Sequence, residues 1–139
     1  MTISASQIEP GREIPKLIKI AKLNPPPGGY PWGSPHNEEY AKSIGFRGAL
    51  VPGAKTLAYM LEMLVNFFGL AWMMGGKVAV KFIGGGVVDG EMVVCRGMVR
   101  EKRTQNSTVV LVLDIWMENE LGEKVIVGEA SCSLPNLGS

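Results

Sequence analysis

Apolar residues recur with two different periods along this chain, and the change near residue 77 separates a helical part from a stranded one. Residues 54–68 are almost wholly Ala, Leu, Met, Val, Tyr and Phe, and they predict a helix ended by Gly69. The polar exceptions Lys55, Glu62 and Asn66 share one narrow stripe, with Thr56 near the start. A helix apolar over so much of its circumference must be wrapped by other structure. From Lys77 onward the period is two. Val78, Val80 and Phe82 alternate with Ala79, Lys81 and Ile83, and Val93, Cys95, Gly97 and Val99 with Met92, Val94, Arg96, Met98 and Arg100. Val109, Leu111, Leu113, Ile115 and Met117 mark one face of a further strand. Turns are expected at Asp89-Gly90, Gln105-Asn106-Ser107 and Asn119-Glu120-Leu121-Gly122.

Upstream, residues 1–11 read as a polar lead-in. Ile14, Leu17, Ile18 and Ile20 predict a strand near 14–21, and Pro15 keeps its start at a sheet edge. Asn24 to Gly33, with three consecutive prolines, is an ordered loop or extended arm. Asn37 to Ile44 forms a short helix capped by Asn37, with Glu38 and Glu39 in the first turn and Gly45 as its stop. The remaining strands are expected near 77–83, 91–103, 108–118 and 123–134. Antiparallel strands in succession bend into one curved sheet whose concave face can hide the long helix. The expected class is α+β, a sheet around a helix.

At 139 residues, 1–139 is one domain. A hydrophobic content of 46% is more than so small a domain easily hides, which points to a subunit interface. A formal charge of +1, spread along the chain, excludes a nucleic-acid or membrane patch. Lys16, Lys19 and Lys22 have helix-like spacing but read as solvated. Glu62 and Asn66 argue against a membrane span over residues 57–74. No secretory signal is visible near the start, so the expected compartment is the cytoplasm. Cys95 and Cys132 then read as buried core thiols rather than a disulfide or metal ligands.

His36 is the only histidine, and it is the one side chain here whose ordinary pKa suits proton transfer near neutrality. It precedes Val51-Pro52-Gly53 at the entrance of the long helix. The first amides of a helix lack internal acceptors and carry partial positive charge, and glycine lets a ligand oxygen approach them. Gly84-Gly85-Gly86 lacks the company of a phosphate-binding pattern and reads as a bend or bulge.

The order of His36, the acidic stretch ending in Tyr40-Ala41, Gly45-Phe46 and Pro52-Gly53 resembles the MaoC-like (hydratase 2) branch of the hot-dog fold. The resemblance implies a dimer whose sheets join edge to edge, an acyl thioester of CoA or a carrier protein as ligand, and no metal or redox cofactor. It also implies water addition to an enoyl thioester, or the reverse dehydration. On it, His36 transfers the proton, Gly53 binds the thioester carbonyl, and Thr56 faces the acyl group; Tyr30 and Trp32 either line the cleft or pack the loop down. The sequence departs from the family at two places, the residue five before the His and the His-to-Gly-Phe spacing, which is one residue shorter here. The family's Asp lies five residues before its His, where this chain has Pro31, and between Arg12 and His36 the only carboxylate is Glu13. Aligned without a gap from Ala41, Pro35 rather than His36 takes the histidine position. Glu38 is the candidate substitute carboxylate, unless it only faces water at the helix start. Three readings stand: a hydratase or dehydratase, a non-catalytic acyl-binding or structural subunit paired with an active hot-dog chain, and an acyl-CoA thioesterase.

Overall fold

The computed structural model describes residues 7–136. In chain order these form β1 (Leu17–Ile20), α1 (Glu38–Ser43), α2 (Gly53–Phe68), α3 (Leu70–Gly75), β2 (Gly76–Phe82), β3 (Met92–Gln105), β4 (Thr108–Glu118) and β5 (Lys124–Pro135). The five strands make one sheet in the order β1-β3-β4-β5-β2, with every neighbouring pair antiparallel. β1 and β2 are its two edges. Two hairpins follow the turn residues read from the sequence: Asn106 takes φ 52° between β3 and β4, and Gly122 takes φ 80° before β5.

The alternation in β3 sets which side is inside. Val93, Cys95, Gly97 and Val99 are buried, while Met92 and Arg100 are exposed and Val94, Arg96 and Met98 lie between. In β4 the side chains of Val109, Leu111, Leu113, Ile115 and Met117 are all nearly inaccessible. Against this surface α2 lays Met60, Met63, Leu64, Phe67 and Phe68. Their spacing of three and four residues keeps them on one helix face. The opposite face is only partly covered, with Val65 exposed and Leu57, Tyr59 and Leu61 half-buried. The helix is cradled rather than enclosed.

Three features depart from the sequence reading. The lead-in is not wholly polar packing: Ile8 is fully buried in the core, and Gly11 N donates to Val99 O at 2.7 Å. One isoleucine among polar residues carries no period, so the pattern missed it; residues 1–6 lie outside the described residues. After Gly69 (φ 63°) the chain forms a second helix, α3, where none was expected. Its Trp72 is buried and stacks on Phe68 with ring centroids 6.0 Å apart, leaving Leu70, Met73 and Met74 exposed. The helix-like spacing of the lysines is also not realised. Lys19 lies on β1, pairs with Glu62 of α2 at 3.2 Å and sits over the Tyr59 ring.

Cys95 and Cys132 are free, buried thiols. Burial pushes Cys95 up to about 12, with the nearby Glu62 charge adding to the rise and Lys19 opposing it. Burial likewise pushes Cys132 up to about 11. Thiols held protonated in this way are poor nucleophiles. No helix among the described residues is long and apolar enough to cross a membrane.

Candidate functional site

The site is assembled by the stretch between α1 and α2. Asn37 caps α1, its Oδ1 accepting from Tyr40 N at 2.9 Å. Gly45 (φ 103°) ends it in a conformation that favours glycine. The chain then runs along the loop before β3: Val51 N donates to Val87 O and Asp89 N to Ala49 O, each at 2.8 Å. Leu50 and Val88 are therefore paired across a short antiparallel bridge.

That bridge holds His36. The ring nitrogen Nδ1 lies 2.7 Å from Leu50 O. A carbonyl oxygen only accepts, so Nδ1 carries the proton, and the neutral ring keeps a lone pair on Nε2. The backbone is fixed as well, with His36 N donating to Ser34 Oγ at 3.2 Å and Leu50 N donating to Pro35 O at 2.9 Å. Tyr30 packs against the ring at 5.2 Å between centroids. A half-buried imidazole held in one tautomer is arranged to accept a proton at Nε2.

Leu50 also faces a cavity of about 290 Å³ at the start of α2. Its wall includes Phe46, Val51, Gly53, Thr56, Phe82 and Val87, with Gly84 to Gly86 along one side. This is the small end of the range for ligand pockets, apolar with few polar groups. Pro52 caps α2 without a side-chain acceptor, and its carbonyl takes the amides of Lys55 and Thr56 at 3.0 and 3.2 Å. The Gly53 amide, in the first turn, has no acceptor within the helix. Thr56 is buried and its hydroxyl donates to Gly53 O at 3.0 Å, so it braces the helix start.

The structure thus gathers Gly53 and Thr56 into one cavity and joins His36 to it through Leu50. The other expected residues stand elsewhere. Tyr30 is against His36 but outside the cavity wall, and Trp32 is 65% exposed with its ring edge-on to Tyr40 at 5.1 Å. Both pack the Pro-rich loop down, which was one of the two roles open to them. Glu38 is not paired with His36: its carboxylate pairs with Lys42 at 3.5 Å and lies over Gly48. The i,i+4 spacing on α1 favours that pairing and takes the side chain along the helix. Among the described residues, no carboxylate is within ion-pair distance of the His36 ring.

Sequence reasoning missed Phe82 and the glycine loop as parts of the site. Phe82 appears in the sequence only as one member of the alternation in β2; in the fold it is 54% exposed and its ring covers Gly53. A Cβ on Gly53 would meet that ring at 3.1 Å. A side chain at 53 therefore fits only if the Phe82 ring gives way by a few tenths of an ångström. Gly53→Val is expected to displace the ring and shift the helix start, weakening the binding or turnover of any ligand of this cavity by roughly tenfold or more. Steady-state kinetics or a ligand titration would read it, and wild-type values in the folded variant would remove Gly53 from the site.

No family model and no curated protein matches the sequence. Solved structures do. The chain is similar to a MaoC-like dehydratase from Rhodospirillum rubrum, with TM-score 0.73, 14% identity and 99% of each chain covered. It is similar to an (R)-hydratase from A. caviae involved in PHA biosynthesis, with TM-score 0.65 and 18% identity over 93% of this chain and 98% of that one. A third likeness is to the ChsH1-ChsH2 complex from Mycobacterium tuberculosis, with TM-score 0.60 and 12% identity over 91% and 97%. The strand order, the cradled helix α2 and these likenesses together give the chain the hot-dog fold, which it shares with the MaoC-like dehydratase and the (R)-hydratase.

Proposed function

We propose that this protein binds an acyl thioester of CoA or a carrier protein and adds water to an enoyl thioester, or removes it from a 3-hydroxyacyl thioester. The observation that carries the reading is the Nδ1–H bond from His36 to the carbonyl of Leu50, a residue that also lines the apolar cavity at the N-terminus of α2. The acyl group occupies the cavity and its carbonyl oxygen meets the Gly53 amide. Negative charge that develops on this oxygen is stabilised by the amide and by the partial charge of the helix end. Nε2 takes a proton from water as its oxygen bonds to the β-carbon. The resulting imidazolium returns that proton to the α-carbon, so one water is added and no charge remains.

A specific observation supports a second reading, a non-catalytic subunit beside an active hot-dog chain. Pro31 stands where the family's Asp is expected, and no described carboxylate reaches His36. One experiment separates the readings: incubate the purified protein with crotonyl and butyryl thioesters and follow both loss of the conjugated double bond and release of free thiol. Hydratase activity gives the first change alone. No turnover with either substrate, together with copurification of a second hot-dog chain, supports the subunit.

We further propose a symmetric dimer formed edge to edge through the sheet. β1 and β2 present unpaired edges, and Ile18, Ile20 and Phe82 on them are about half exposed. Unpaired edges that carry exposed apolar side chains invite pairing. Sedimentation at micromolar concentration is expected to give the mass of two chains; a monomer there would contradict the arrangement.

A further inference from the structure

Among the described residues, Glu91 is the only charged residue that is buried, with 2% of its surface exposed. Everything that touches its carboxylate is a donor. Arg47 Nη2 reaches Oε1 at 3.1 Å and Oε2 at 2.9 Å, Val88 N donates to Oε1 at 3.0 Å, and Glu120 N donates to Oε2 at 3.3 Å. Only an acceptor-only group satisfies such a set, so an ionised carboxylate is required there and an amide is not equivalent.

What this carboxylate grips is informative. Arg47 lies in the bend three residues before Leu50. Val88 is the residue paired with Leu50 across the bridge. One buried side chain therefore holds both sides of the pairing that presents Leu50, and Leu50 O is the acceptor for His36 Nδ1. Leu50 N, in turn, holds Pro35 O beside the histidine. A neutral carbonyl orients the ring but brings no charge of its own. Its aim depends on how firmly the bridge is fixed.

We propose that Glu91 is a positioning residue for His36: through Arg47 and Val88 it fixes the Leu50 carbonyl that keeps the ring in its Nδ1–H tautomer with Nε2 free. Its consequence for turnover rests on the hydratase reading; its consequence for the ring does not. Loss of the grip lets the 49–51 stretch shift against the 87–89 stretch, and the two tautomers of the ring then approach equal weight. Small displacements of a catalytic group are costly, with about 1 Å worth roughly a hundredfold in rate.

The test is 15N NMR of the imidazole, which needs no assignment because the chain has one histidine. Wild type is expected to show a single Nδ1–H tautomer above the ring's titration. Glu91→Gln, which keeps shape but sets an amide N–H against donors, is expected to give a mixture of tautomers. Arg47→Met removes the ion pair but leaves the Val88 and Glu120 bonds, and is expected to give a smaller admixture, with Arg47→Lys partly restoring the wild-type spectrum. Arg47 is 43% exposed at its side chain, so its variants decide the matter even where Glu91→Gln does not fold. Arg100→Met, which breaks exposed pairs to Asp114 and Glu129 on the outer face, is the control and leaves the ring unchanged. In turnover, Arg47→Met is expected to lower kcat about tenfold with KM within about twofold. Folded Arg47 and Glu91 variants that keep a single Nδ1–H tautomer overturn the proposal. A wild-type protein without turnover overturns the hydratase reading alone, and the NMR result still judges Glu91.

Discussion

His36→Ala is expected to lower the hydration of an enoyl thioester by roughly 10²–10⁴-fold while the protein stays folded. The size follows from the absence of any replacement. The chain has no second histidine, and both cysteines are buried thiols raised well above neutrality. Glu38, the nearest candidate carboxylate in sequence, is turned to Lys42 and Gly48. The cost in stability is small, since the ring contributes one hydrogen bond to Leu50 O and one contact with Tyr30. A single such bond is worth about 1 kcal/mol. His36→Asn sharpens the comparison, because its amide can still donate toward Leu50 O but cannot carry a proton. Both variants are expected to bind substrate with nearly wild-type KM and to fail in kcat. Turnover that survives in either would show that the imidazole is not the proton carrier.

A second large effect is expected far from the histidine, at Gly128→Ala. Gly128 of β5 pairs with Val80 of the edge strand β2. A Cβ there would lie 2.3 Å from Ala79 O and 2.8 Å from the Val80 Cα. These are backbone atoms, so no side chain can swing away and the strands must part. Overpacking of this kind costs about 1–3 kcal/mol. For a domain of this size that corresponds to a melting temperature lower by roughly 5–10 °C. The loss is local as well as global. β2 ends in Phe82, which covers Gly53, and β2 is one of the two edges offered for dimer formation. Amide exchange in residues 76–82 is expected to speed up more than in β3 or β4. Unchanged exchange and melting would mean that the edge strand accommodates the methyl group.

Much of the architecture was legible because it rests on period and punctuation. Burial alternates over Val93 to Val99, and over Val109 to Met117 except at Val112, and each stretch is bounded by residues that favour turns. The α2 helix is ended by Gly69 and α1 by Gly45, both glycines at positive φ. What escaped the reading lacks a period. Ile8 is a single apolar residue in polar company, and α3 is a one-and-a-half-turn helix restarted just after a glycine. Asn37 caps α1, and Gly53 and Thr56 sit in the first turn of α2 as the sequence placed them, because capping and helix starts are local. The partners of His36 are not local. Leu50 O is fourteen residues away and is a backbone atom, so no residue type announces it. Glu91 is equally silent in sequence: it looks like one more surface acid after Asp89-Gly90, and only folding shows that it faces four N–H contacts.

The central claim is that water adds to the β-carbon of a bound enoyl thioester. The most direct measurement is to run the wild-type protein with a crotonyl thioester in ¹⁸O-labelled water and locate the label by mass spectrometry. The account predicts one ¹⁸O at the 3-hydroxyl of an intact thioester. Label in the carboxylate of a free acid, or an unlabelled and unchanged substrate, would contradict it.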